Sequence, residues 1–327
     1  MRMLVLGGTA WLGRTIAAEA VGRGHEVVCA ARGTAPVADG CRPVAVDRDE
    51  PDALGGLAAE RWAAVVDVAR QPGHVRRSAD ALRHAGRYLF VSTGNVYADT
   101  RTPHLDEAGA LLPPLEADEM PDPEAYGSAK VACERVVLQA FGDRALIARA
   151  GLIGGPGDTS GRSTYWPWRF AHPSGDAVLV PDAPHRSSQL VDARDLAAWL
   201  VDCAERGTGG VLNVVGPEVP LGEHLRTAQS VAGSTGDVVA APEPWLVEQG
   251  VQEWMGPRSL PIWLADPDWQ GFTSRDGSRA RAAGLVHRPL ADTLGDALAW
   301  EEQQAEHPHG AGLTDEDERA LLALLHG

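Results

Sequence analysis

Short, unbroken apolar runs punctuate the first two hundred residues, each followed by a stretch long enough for a helix. Met3-Leu4-Val5-Leu6 is the first run, and a glycine turn and a helical pattern over about 11–23 follow it. Residues 26–30, 43–46, 63–67 and 88–92 repeat the theme. A strand with one wet face alternates polar and apolar residues, whereas a continuously apolar strand is buried on both faces. The pattern therefore predicts an α/β fold built on a parallel sheet with helices on both sides. Right-handed crossovers then make it a doubly wound Rossmann sheet.

After Arg149 the pattern changes. Residues 151–190 are rich in Gly, Pro and Ser and carry "STYWPWRF". A helix over about 192–206 and the apolar strand "VLNVVG" then read as a return to the sheet. From Pro217 onward proline and tryptophan recur, with Trp245, Trp254, Trp263 and Trp269 in one stretch. The expected division is a dinucleotide-binding domain over 1–150, rejoined by 190–216. A smaller, discontinuous substrate domain takes 151–189 and 217–327.

Composition narrows the function classes. A chain of 327 residues, 44% hydrophobic and 23% charged, fits a soluble globular enzyme of two domains or one large α/β unit. The net charge of −16 is spread along the chain, which argues against nucleic acid or an anionic membrane as partner and leaves a small molecule. "MRMLVLGG" is too short an apolar run for a signal peptide or a span, so a cytoplasmic location is expected. Cys29, Cys41, Cys133 and Cys203 have no metal or redox spacing and read as free thiols. His307-Pro308-His309-Gly310 reads as a polar linker rather than a metal tract, and no metal is expected.

Chemistry enters at "LVLGGTAWLG". Gly7 and Gly13 flank a turn between the first strand and the first helix, where backbone N–H groups and the helix N-terminus can hold a pyrophosphate. A carboxylate at the end of the second strand would select NAD through the ribose 2′-hydroxyl. Ala31-Arg32-Gly33 offers a guanidinium instead, with Arg14 as a second candidate, so NADP(H) is favoured over NAD(H).

With Gly7/Gly13, "VSTGNVY" and "AYGSAK" in that order, the chain resembles the extended short-chain dehydrogenase/reductase superfamily. Within it, the chain looks like NAD-dependent epimerase/dehydratase proteins and bacterial 2′-hydroxyisoflavone reductase-like proteins. The resemblance makes Tyr126 the proton donor and acceptor, Lys130 its partner and Thr93 the hydroxyl that holds the reacting carbonyl. It places the cofactor along Gly7, Thr9, Ala10, Trp11, Leu12, Gly13 and Arg14, and then Arg32. Asp47 and Arg48 fall by the adenine, and Val68, Ala69 and Arg70 by the phosphates and ribose. Ser92, Ala150, Leu152 and Ile153 complete that set together with Tyr126 and Lys130. A homodimer is the assembly the resemblance implies.

The spacing agrees with the chemistry. Residues i and i+4 share a helix face, so Tyr126 and Lys130 can point into one cleft. Lys130 is the only lysine in a chain with 28 arginines. An ammonium about 4 Å from a tyrosinate stabilises it by roughly 4 kcal/mol at an effective dielectric near 20.

Departures from the family pattern sharpen the reaction. Dehydratases of this type carry Asp-Glu after the threonine, whereas this chain has Gly94-Asn95, neither of which ionises. Sugar-nucleotide members place an asparagine three residues beyond the arginine of the sixth strand, where this chain has Leu152. The expected substrate is therefore small and not nucleotide-linked. Trp166, Trp168, Trp254 and Trp263 are candidates for an aromatic wall, and Arg162, Arg169, Arg186 and Gln189 for polar contacts. Gly94, Asn95, Trp166, Trp168 and Gln189 form the expected substrate set. The expected activity is NADP(H)-dependent hydride transfer to or from a carbonyl or enone. The alternatives are an epimerase that uses tightly bound NAD(P) for transient oxidation, or a non-catalytic NADP-binding or RNA-associated protein.

Overall fold

Strand β1 (Arg2–Leu6) shows why the sheet forms where it does. Met3 and Val5 pack into one core, Leu4 and Leu6 into a second on the opposite face, and all four are buried. Around it lie β2 (Glu26–Ala31), β3 (Arg42–Ala45), β4 (Ala64–Asp67), β5 (Tyr88–Thr93) and β6 (Ala145–Ala150). β7 (Leu152–Gly154), β8 (Ala177–Pro181) and β9 (Ser187–Asp192) leave this sheet, and β10 (Gly210–Val214) joins it. The strand order is β10-β6-β5-β4-β1-β2-β3, and every pairing is parallel. The structure is a computed structural model that describes residues 1–305 and 310–326. His307, Pro308 and His309 of the expected linker lie outside the described residues.

Helices cover both faces, as continuous apolar strands require. α1 (Trp11–Gly22) supplies Ile16, Ala17 and Ala20 to the first core. α2 (Gly55–Ala58), α3 (Pro72–Ala81) and α4 (Tyr126–Phe141) close the second, through Leu57, Val75, Ala79, Cys133 and Val137. α6 (Ala193–Arg206), which follows the short α5 (Tyr165–Ala171), packs beside α1. Its start is set by the Asp192 carboxylate, which accepts the Arg194 N–H at 2.8 Å, and its end by Gly207 at φ 74°. Strand order reverses between β1 and β4, so the crevice at the C-terminal ends of these strands is where a ligand is expected.

A third core gathers the remaining elements. β9 pairs with β7 and with β11 (Glu218–Pro220), and α7 (Leu221–Val231) packs on α5. β12 (Asp237–Ala241) pairs in parallel with β8. Trp166 and Trp263 are fully enclosed here, their indoles donating to the Pro261 carbonyl and to Glu243, each at 2.8 Å. No described helix is long and apolar enough to cross a membrane. The four cysteines are free thiols, and burial pushes Cys29, Cys133 and Cys203 up to about 12.

His224 on α7 is the acid-sensitive point of this third core. Its Nδ1 lies 2.9 Å from Ser188 Oγ, Nε2 has no partner among the described residues, and burial holds its pKa down to about 4. The folded state keeps the ring neutral, whereas the unfolded chain protonates it near the ordinary value of 6.5. Stability from this group is therefore complete above pH 6.5 and falls as pH drops toward 4, by on the order of 3 kcal/mol. Urea unfolding at pH 7 and pH 4.5 should show a smaller loss for His224→Leu than for the wild type. Equal losses would show that His224 does not carry the acid response.

Candidate active site

The loop after β1 is built for close backbone approach. Gly7 has φ 91°, and a Cβ there would stand 2.6 Å from Val68 Cγ2. A Cβ on Gly13 would stand 2.2 Å from the Gly7 carbonyl oxygen, so α1 begins directly on the loop backbone. Ala10 precedes the helix without a side-chain cap, and the first turn carries no acidic residue. The first N–H groups of α1, from Trp11, Leu12 and Gly13, thus meet no competing carboxylate of their own turn and suit a phosphate.

Trp11 does something the sequence did not show. Its indole donates to the Pro156 carbonyl at 2.8 Å and lies against Gly157, where a Cβ would come within 2.6 Å of the ring. It straps the glycine loop to the segment after β7. Thr9 is half-buried and Ala10 exposed; Arg14 in α1 and Arg32, just past the C-terminal end of β2, are both exposed.

Thr93 ends β5 and is buried. Its hydroxyl donates to Asn95 Oδ1 at 2.8 Å and accepts the Asn95 N–H at 3.3 Å. α4 docks on this turn through Gly127, where a Cβ would lie 2.3 Å from the Asn95 carbonyl oxygen. Any larger residue would push away the start of the helix, and with it Tyr126, its half-buried first residue. Lys130, one turn on, is 2% exposed and donates to the carbonyls of Ala69 at 2.8 Å and Val91 at 2.5 Å. Its ammonium also stands 4.2 Å from the centre of the Phe90 ring. Thr93, Tyr126 and Lys130 are thus gathered where β5 ends and α4 begins.

A buried ion pair holds that junction. Arg149 of β6 meets Glu134 of α4 at 2.8 Å, and the Ser92 hydroxyl donates to the same carboxylate at 2.5 Å. Arg149 also donates to the Tyr97 hydroxyl at 3.0 Å, which in turn donates to Asn213 at 2.6 Å. Glu134 escaped the sequence reading. The signal was present, because Tyr126, Lys130 and Glu134 recur at intervals of four on one helix face.

Several expected contacts are not where the sequence placed them. Arg48 turns inward, its guanidinium 3.0 Å from both Asp67 oxygens, while Asp67 also accepts from Tyr88 and from the Ala69 N–H. Asp47, its neighbour in the expected pair, stays exposed. Val68 is half-buried behind Gly7, Ala69 is buried and Arg70 is exposed. Ser92 faces Glu134 rather than the crevice. Ala150 is buried, Leu152 packs in the third core, and Ile153 rests on the first.

On the substrate side, Trp166 belongs to the domain interior, because its ring fills the third core. Trp168 stacks on His172, with ring centres 3.9 Å apart. Gln189 closes on the main chain of Arg275 and presents no free amide. Arg169 pairs with Asp315 at 2.7 Å and Arg186 with Glu243 at 3.0 Å. Gly94 is buried and Asn95 half-buried beside Thr93. Arg162 is different. Its guanidinium lies 5.7 Å from the centre of the Trp254 ring and within electrostatic reach of Tyr126. Burial lowers its pKa, and Asp158 and Tyr126 oppose that shift. Trp254 continues edge-on into Phe272 and Trp269, with ring centres 5.3 and 5.4 Å apart.

Residues 3–84 match the model of the NAD dependent epimerase/dehydratase family, a span that runs from β1 through α3. The 2′-dehydrokanamycin reductase of Streptomyces kanamyceticus is 29% identical over 262 residues, 76% of this chain and 72% of that protein. A chloroplast stem-loop binding protein of 41 kDa from Arabidopsis thaliana is 25% identical over 272 residues, 77% of this chain and 67% of that one. The solved UDP-N-acetylglucosamine 4-epimerase of Bacillus cereus shares the fold, with a TM-score of 0.65 at 16% identity. It covers 91% of this chain and 98% of its own. The resemblance to nicotinamide-dependent enzymes of the extended short-chain type, read from "AYGSAK" and the glycine loop, is borne out.

Proposed function

We propose that this chain is an NADP(H)-dependent reductase or dehydrogenase acting on a carbonyl or enone of a small, non-nucleotide substrate. The observation that carries this reading is the gathering of Thr93, Tyr126 and Lys130 at the β5–α4 junction, beside an uncapped helix start on a glycine loop. The residues at Gly7, Gly13 and the first turn of α1 suit a dinucleotide, whose nicotinamide would supply or accept the hydride.

The chain's own groups do the rest. Thr93 fixes the substrate oxygen, and Tyr126 gives that oxygen its proton or takes it back. Lys130, one helical turn from Tyr126 and held by two carbonyls, is the cation assigned to favour the tyrosinate. Arg162 and Trp254 form the substrate side, with residues 151–189 and 217–327 shaping the pocket. Leu152, apolar and buried in the third core, supports a substrate without a diphosphate. The relative named 2′-dehydrokanamycin reductase supports a reductase reading.

The test is NADPH oxidation by the purified chain over a panel of cyclic ketones and enones. Net turnover supports the reading. No net consumption, with copurified nicotinamide that does not exchange, would replace it with an epimerase. Arg32 is the proposed 2′-phosphate contact, so Arg32→Ala should weaken NADPH binding about tenfold and leave NADH unchanged. Fluorescence titration of both cofactors checks this, and an equal effect on both would remove Arg32 from that role.

A further inference from the structure

Just past the C-terminal end of β10 lies a cavity of about 420 Å³, whose lining includes none of Thr93, Tyr126 and Lys130. Gly216, Pro217 and Gly277 form part of its backbone wall, and Arg275, Arg281, His287 and His104 bring its positive or protonatable groups. Arg275 dominates the chemistry. It is 3% exposed, its Nη2 donates to the Asp99 carbonyl at 2.8 Å, and Nε and Nη1 have no partner among the described residues.

That arrangement is held deliberately rigid. The Gln189 amide accepts the Arg275 N–H at 3.0 Å and donates to the Arg275 carbonyl at 2.9 Å. The guanidinium rests 4.8 Å from the centre of the Tyr97 ring. A buried cation with free N–H groups carries a desolvation cost that an anion would relieve. His287 repeats the signal, because both of its ring nitrogens are buried and lack partners among the described residues. Arg281 stands half-exposed at the mouth.

Two carboxylates, Glu218 and Asp276, line the same space, and each lies by one of the cavity's outer basic groups. Glu218 accepts from Ser187 and lies 3.5 Å from His104. Asp276 accepts the Ser278 N–H and hydroxyl at 2.8 and 2.9 Å and sits 3.9 Å from Arg281. Neither is hydrogen-bonded to Arg275, on which Asp99 acts electrostatically while its main-chain carbonyl takes one N–H.

We propose that this cavity binds a small oxyanion, a carboxylate or phosphate group, through the free N–H groups of Arg275, with His287 and Arg281 as further donors. Anions of either kind take charge-assisted hydrogen bonds from a guanidinium held in place. A bound anion also favours protonated His287, opposing the lowering that burial imposes on it.

The experiment titrates inorganic phosphate and, separately, acetate into the full chain without nicotinamide, following the His287 ring signals by NMR. They are assigned by their loss in His287→Gln. A saturable movement with a raised His287 midpoint is expected. Response to phosphate alone assigns a phosphate monoester, and response to acetate assigns a carboxylate. Arg275→Met should weaken binding at least about tenfold and Arg281→Ala about threefold. If Arg275→Met does not fold, Arg281→Ala decides, since its side chain reaches solvent. No saturable shift with either ion, or unchanged affinity in Arg281→Ala and in any folded Arg275→Met, overturns the proposal. Because neither cofactor nor turnover is involved, its failure leaves the proposed reductase activity untouched.

Discussion

Tyr126→Phe should lower kcat by at least about two orders of magnitude and leave the thermal midpoint unchanged. The variant removes one hydroxyl from a half-buried residue that belongs to none of the hydrophobic cores. Packing is therefore preserved while the proton donor is lost. An interaction made only in the transition state affects kcat and kcat/KM equally, whereas a binding contact would raise KM alone. Lys130→Arg should fail in the same assay. The ammonium sits 2% exposed between the carbonyls of Ala69 and Val91 and against Phe90, and a guanidinium is too broad for that enclosure. Steady-state rates with saturating NADPH, alongside thermal melts, separate these outcomes. Turnover of Tyr126→Phe within about threefold of wild type would take the hydroxyl out of the proton transfer.

What could be read in advance was what the chain writes locally. Met3 to Leu6 and Tyr88 to Ser92 are continuous apolar runs, and burial on both faces of a sheet is the arrangement that accommodates them. Tyr126 and Lys130 lie one helical turn apart, so their shared face follows from helix geometry alone. What escaped depends on pairs that only the tertiary fold brings together. Arg48 turns inward because Asp67, at the end of another strand, is buried and needs a cation. Gln189 is committed to Arg275, 86 residues away. The four tryptophans offered for an aromatic wall, Trp166, Trp168, Trp254 and Trp263, look alike in sequence. Packing alone distinguishes Trp166, sealed in the third core, from Trp254, which lies beside Arg162. Residues such as these are amphipathic, so their composition is compatible with either position.

Glu134→Ala should cost about 3–5 kcal/mol of stability, because it strands the Arg149 charge in the interior without its carboxylate. Both side chains are almost fully enclosed, 4% exposed for Arg149 and 2% for Glu134, and the pair joins α4 to β6. The Ser92 hydroxyl would lose its acceptor as well, so the effect extends to the end of β5 that carries Thr93. Pairs in solvent behave differently. Arg83 and Asp80 are largely exposed, and Asp80→Ala should change stability by less than about 1 kcal/mol. Removing both buried charges, as in Glu134→Leu with Arg149→Met, should recover most of the loss, since the interior then holds neither an orphan cation nor an orphan carboxylate. Urea unfolding of the four proteins at pH 7 gives the comparison. If Glu134→Ala loses no more than the exposed variant, the pair is not what fastens α4 to the sheet. If the double variant recovers stability but not turnover, the charges also serve to position Tyr126 and Lys130 on the same helix.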